Sequence, residues 1–171
     1  DPIIRERWKG VHKKYPNQKD VDRMFKDFVP LQLKVLKKYT KLLPGAAKCS
    51  KELKKRGIMI GSSTGFVRSM VDILAADAKK QGFIMDATVA GDDVVHGARP
   101  KPFMVFRNMD LLDVHPVQSI VKVDDTTSGV GEALEAGCWG VGVSLYSNYM
   151  NINTLAEAKK ISKKEMDRRN G

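Results

Sequence analysis

From Ala46 onward the sequence alternates helical and strand patterns without a break, and this alternation narrows the possible folds more than any other feature. A helical pattern over Ala46–Arg56 leads to a short apolar strand at Ile58–Ser62, a helix at Val67–Lys80 and a strand at Phe83–Val89. A helix at Pro102–Leu112, a strand at Ile120–Val123, a helix at Thr127–Ala136, a strand at Trp139–Leu145 and a last helix at Leu155–Arg169 continue the series. Strands separated by helices run parallel, because each helical crossover carries the chain back to the end where it started. The expected fold class is α/β, a Rossmann-like parallel sheet with helices on both faces.

Residues 1–43 read differently. Trp8, Val11, Tyr15, Met24, Phe25, Phe28, Leu31, Leu33, Val35 and Leu36 recur at helical spacings among Lys, Arg and Asp. Asn17 or Asp20 can cap the second helix, and Pro30 either opens a third helix or kinks a longer one. No strand accompanies these helices. Leu43-Pro44-Gly45 is the punctuation that divides an all-helical part, 1–43, from the α/β part, 44–171.

Composition removes several function classes. With 42% apolar and 29% charged residues the chain can build a core, and no apolar run approaches a membrane span. Cys49 and Cys138 lie far apart with no metal-type spacing, so a reducing, cytoplasmic setting is expected. The net charge of +10 raises nucleic acid as a partner. The Lys and Arg residues are scattered near helix ends, however, with no aromatic-interleaved basic stripe, which favours an anionic small substrate.

In a parallel sheet the ligand sits beyond the carboxyl ends of the strands. After the first strand come Ser62, Ser63, Thr64 and Gly65, and the helix that follows presents its positive end. After the second come Gly91, Asp92, Asp93, Arg99 and Lys101. Asp124 and Asp125 follow the third, and Ser144, Tyr146 and Ser147 the fourth. Each group alone has a structural explanation: a steric turn, a rigid Pro loop, a helix cap. Together, one rim carries hydroxyls, a cation and a carboxylate pair, which is the inventory for a phosphoryl group with a magnesium ion.

The ordered set resembles the haloacid dehalogenase superfamily from its second motif to its fourth. Ile60-Gly-Ser-Ser-Thr-Gly-Phe-Val-Arg68, Asp92-Asp-Val94, Arg99-Pro-Lys-Pro102, Val121-Lys-Val-Asp-Asp125 and Glu132-Ala-Leu-Glu-Ala-Gly-Cys-Trp-Gly-Val-Gly-Val143 look in particular like the phosphonatases. Residues 1–43 resemble the second half of their helical cap. The resemblance implies magnesium-dependent cleavage of the C–P bond of phosphonoacetaldehyde, giving acetaldehyde and phosphate. Thr64 and Arg99 would be catalytic, with Ser63, Gly65 and Lys101 binding substrate. Asp125, with Asp124, would hold Mg2+. The Arg-Pro-x-Pro register favours Arg99 over Lys101 as the third-motif cation. A homodimer through cap helices is also implied. The alternatives are another capped phosphatase of the superfamily, or a catalytically silent chain that binds phosphate or a partner.

Departures accompany the match. The family's nucleophilic Asp and Schiff-base Lys have no counterpart in these residues, and residue 1 is expected to begin just past both. The edges that the first strand would fill are then expected to lack partners. Gly129 stands where some members carry a second carboxylate, and Phe66 stands where Tyr is common.

Overall fold

The computed structural model describes residues 2–145, 147, 150 and 155–170, in two compact units, Asp1–Thr40 and Lys41–Gly171. The first unit holds α1 (Pro2–His12), α2 (Gln18–Leu36) and a 3₁₀ turn at Lys37–Tyr39. Asn17 caps α2 with a reciprocal pair: its Oδ1 accepts from Asp20 N at 2.9 Å, and its own N donates to Asp20 Oδ2 at 3.1 Å. Both capping candidates therefore act at one cap. Helix α2 runs through Pro30, and no third helix starts there. Tyr15 ties the turn back to α1 by donating to Glu6 Oε1 at 2.8 Å. Phe25, Phe28 and Leu31 remain more than half exposed on α2.

The second unit carries α3 (Ala46–Lys55), β1 (Gly61–Ser63), α4 (Arg68–Lys80), β2 (Ala87–Val89), α5 (Phe103–Leu112), β3 (Val121–Asp124), α6 (Thr127–Ala136), β4 (Trp139–Gly142), α7 (Leu155–Ala158) and α8 (Lys163–Asn170). β1 pairs with β2 from Gly61↔Ala87, and β3 pairs with β4 from Val121↔Trp139, both parallel. The alternation thus yields parallel strands, but as two two-stranded sheets rather than one continuous sheet. Ile120 O and Asp124 O accept from Trp139 N and Val143 N, so the backbone groups of Val121 and Val123 point to the edge away from β4.

Several boundaries differ from the sequence reading. The first strand begins at Gly61 rather than Ile58, because the Asp86 carboxylate takes the Ile60 N–H at 2.8 Å before the ladder starts. The second is confined to Ala87–Val89, and the fourth ends at Gly142. The last helix divides after Ala158. It restarts at Lys163, where Ser162 Oγ accepts from Glu165 N at 3.2 Å and caps a new helix.

The core under β3 and β4 contains Val105, Ala133, Ala136 and Cys138, with Met109, Val117 and Ile120 packed against them. Burial pushes the Cys138 thiol upward, which keeps it a packing residue. Gly140 allows α6 to lie close, since a Cβ there would stand 3.3 Å from the Ala133 Cβ. The opposite face of this sheet, formed by Val121, Val123, Trp139 and Val141, is exposed.

Candidate functional site

The carboxyl ends of β1 and β3 meet through side chains. Lys122 on β3 donates from Nζ to Ser63 Oγ at 3.2 Å. Arg99, from the loop before α5, donates from NH2 to Ser63 O at 2.9 Å. The same NH2 lies 2.9 Å from Asp124 Oδ2, and Nε lies 3.2 Å from Glu132 Oε2 on α6. Lys122 Nζ is 3.1 Å from both Asp124 Oδ2 and Glu132 Oε2. Two cations and two carboxylates are therefore interleaved beneath the rim, where separation of any pair would leave a charge in a poorly solvated place.

Asp124 is the most heavily engaged member. Its Oδ1 accepts from Thr126 N at 3.0 Å and from Thr126 Oγ1 at 2.8 Å. Burial alone would raise its pKa, and that is the largest single influence. The hydrogen bonds from Thr126 and Lys122 and the Arg99 charge together outweigh it, so the net shift is downward. Thr126 also caps α6, its Oγ1 accepting from Gly129 N at 3.1 Å. The strand end and the helix start are thus locked through one carboxylate.

Asp125 is placed otherwise. It is half-buried and forms no hydrogen bond or ion pair among the described residues. It lines a cavity of about 360 Å3 together with Asp124, Thr126, Thr127, Ser144 and Ser147. Tyr146, read from the sequence as part of this rim, lies outside the described residues. Carboxylate and hydroxyl oxygens without thiolate or imidazole suit a hard cation that keeps several waters, which is magnesium's habit. Among the described residues no cluster of three acidic, His or Cys side chains forms. The fit is therefore to a metal sharing its sphere with water and ligand, not to an all-protein cage.

Thr64 and Gly65 form the loop after β1. Thr64 N donates to Val89 O at 3.1 Å, and Thr64 Oγ1 accepts from Phe66 N at 3.2 Å, closing a hydroxyl turn. Gly91 supports the loop from β2's end, because a Cβ there would come within 3.0 Å of Gly65 O. The two cations after β2 go separate ways. Arg99 joins the buried cluster, whereas Lys101 donates to His96 O at 2.8 Å on the surface. Asp92 and Asp93 do not join the rim cluster. Asp92 Oδ1 accepts from Arg68 N at 2.8 Å, and Asp93 pairs with the Arg68 guanidinium, which also donates to Thr88 O at 2.9 Å. These acids fix the start of α4.

Lys122 and Glu132 lie within the motifs that carry the resemblance, but the sequence reading gave neither of them a role. A signal for the first was present: a Lys between two Val residues in a strand whose alternate positions should be apolar. Glu132 stands among the small apolar residues of α6, and only its burial gives it away.

The model of the haloacid dehalogenase-like hydrolase family matches residues 4–143. The chain belongs to this family. Among curated haloacid dehalogenase-like relatives, a phosphonoacetaldehyde hydrolase of Syntrophobacter fumaroxidans is 38% identical over 143 residues, covering 84% of this chain and 51% of the relative. One from Bacillus cereus is 38% identical over 151 residues, covering 88% of this chain and 57% of the relative. The chain therefore spans little more than half the length of these proteins. A solved structure of a phosphonoacetaldehyde hydrolase-like protein from Oleispira antarctica superposes with a TM-score of 0.86 at 30% identity, over 99% of this chain and 61% of that one. A haloacid dehalogenase hydrolase from Entamoeba histolytica, at 20% identity and a TM-score of 0.66, shares the fold.

Proposed function

We propose that this chain carries the phosphoryl-binding and metal-binding half of a phosphonoacetaldehyde hydrolase. The observation that carries the reading is the convergence of Ser63, Arg99 and Asp124 within hydrogen-bond distance, in a chain 38% identical to hydrolases of that name. The reaction adds water across the C–P bond, so that carbon leaves with a proton as acetaldehyde and phosphorus gains oxygen as phosphate. Thr64, Ser63 and the Gly65 N–H bind the phosphoryl oxygens. Arg99 offsets the charge that grows on those oxygens as the C–P bond breaks. Asp125 holds Mg2+, which supplies Lewis-acid polarisation of the phosphoryl group when bound. Lys101 serves substrate approach from the surface rather than charge offset. The attacking carboxylate and the Schiff-base lysine that the resemblance implies have no counterpart among these 171 residues.

The exposed Phe25, Phe28 and Leu31 on α2 support a homodimer through the helical part, and among the described residues no helix is long and apolar enough to cross a membrane. A cytoplasmic site of action completes the reading. Acetaldehyde release from phosphonoacetaldehyde with and without Mg2+, measured on the intact protein, tests the function. Borohydride trapping of a lysine adduct in the presence of that substrate separates C–P cleavage from phosphate-ester hydrolysis. Turnover of phosphate esters with no adduct would assign the chain to the other phosphatases of the family.

A further inference from the structure

Glu132 is fully buried at 0% exposure, yet the proposed chemistry gives it no role. Its Oε2 takes both Arg99 Nε and Lys122 Nζ, while Oε1 is buried without a hydrogen-bond partner. A carboxylate in such a place is expensive to bury, and an apolar residue of the same volume would often be more stable. Its position must therefore be explained by what it holds. Arg99 uses Nε for Glu132 and NH2 for Asp124 and Ser63 O, which leaves NH1 without a partner among the described residues. Lys122 can only donate, so Ser63 Oγ accepts from it and the Ser63 hydroxyl proton is directed elsewhere. Both outcomes, a free guanidinium N–H and a free serine proton, depend on where Glu132 sets the two cations.

We propose that Glu132 is a positioning residue: through one oxygen it fixes Arg99 and Lys122 together, so that Arg99 NH1 and the Ser63 hydroxyl remain the donors for a phosphoryl oxygen. Lys122 is its intermediary to Ser63. The proposal rests on the phosphoryl-binding reading of this rim.

The test uses the intact protein labelled with 15N, inorganic phosphate as the probe, and the variants Glu132→Gln, Glu132→Asp and Glu132→Gln/Lys122→Met. In the wild type the Arg99 Nε–H resonance should be shifted downfield and protected from exchange. Glu132→Gln should remove that protection and weaken phosphate binding roughly tenfold to a hundredfold, the worth of a charge-assisted hydrogen bond. Glu132→Asp should recover part of both. The double variant restores the charge balance, so its thermal stability should recover while phosphate affinity stays low. Recovery of stability and phosphate affinity together would overturn the proposal, because Glu132 would then serve folding alone. An Arg99 resonance unchanged in Glu132→Gln would overturn it too. A wild type with the protected Arg99 resonance but no phosphate binding would support the lock and sink the phosphoryl reading instead.

Discussion

Gly129 leaves open the space that the Asp124 carboxyl occupies: a methyl built on its Cα would stand 1.9 Å from Asp124 Cγ. Asp124 cannot yield, because Thr126, Lys122 and Arg99 all hold it. The same geometry explains why no second carboxylate can stand at 129 in this chain. Gly129→Ala should therefore force the first turn of α6 away from β3 and cost about 2–3 kcal/mol of stability, as overpacking does. Urea unfolding measures this. A variant within about 0.5 kcal/mol of wild type would show that the carboxyl has room to move.

Arg99 and Lys101 are two residues apart and should respond very differently to truncation. Arg99→Ala strips one of two cations from buried Glu132 and should cost on the order of 3 kcal/mol. It should also abolish phosphate binding. Lys101→Ala removes one surface hydrogen bond to His96 O and should change stability by under about 0.5 kcal/mol. Paired melts with a phosphate titration distinguish them. Equal losses at both sites would refute the assignment of the buried cation.

This contrast also shows how far the sequence can be read. The ordering of Thr64, Arg99 and Asp125 along an alternating helix–strand chain was legible because each follows a strand pattern and the strands run parallel. The engagement of Asp124 was not, since two adjacent carboxylates look alike in a sequence and only the pleat decides which one turns inward to Lys122. The separation into two sheets was legible only as an expectation of unpartnered edges. The late start of β1 was not, because the Asp86 side chain takes the Ile60 N–H in place of a ladder bond from far along the chain.

Acid should weaken the start of α4 in a defined direction. The hydrogen bond from Arg68 is the main cause that holds the Asp93 carboxyl below its ordinary value of 3.8, against opposition from burial. A depressed folded-state pKa means that this stabilisation is complete above the unfolded value and fades as pH falls through the folded one. Stability should thus hold near neutral pH and decline below about pH 4. Arg68→Met should flatten that decline, measured as urea midpoints at pH 7 and pH 3. An equally steep acid limb in the variant would locate the effect in other carboxylates.

Magnesium should separate the two adjacent aspartates. Asp125 faces the cavity without a protein partner among the described residues, so Asp125→Asn should leave folding near wild type and abolish magnesium-dependent shifts of the Thr126 and Thr127 amide resonances. Asp124 is bound into the cluster by Arg99, Lys122 and Thr126. Asp124→Asn should therefore lower the unfolding midpoint first, because two buried cations lose part of their compensation. A single hard-cation carboxylate with waters completing the sphere binds magnesium weakly, so the titration needs millimolar metal and a calcium control of the same concentration. Retention of the magnesium shifts in Asp125→Asn, with their loss in a still-folded Asp124→Asn, would exchange the two roles and place the metal inside the cluster.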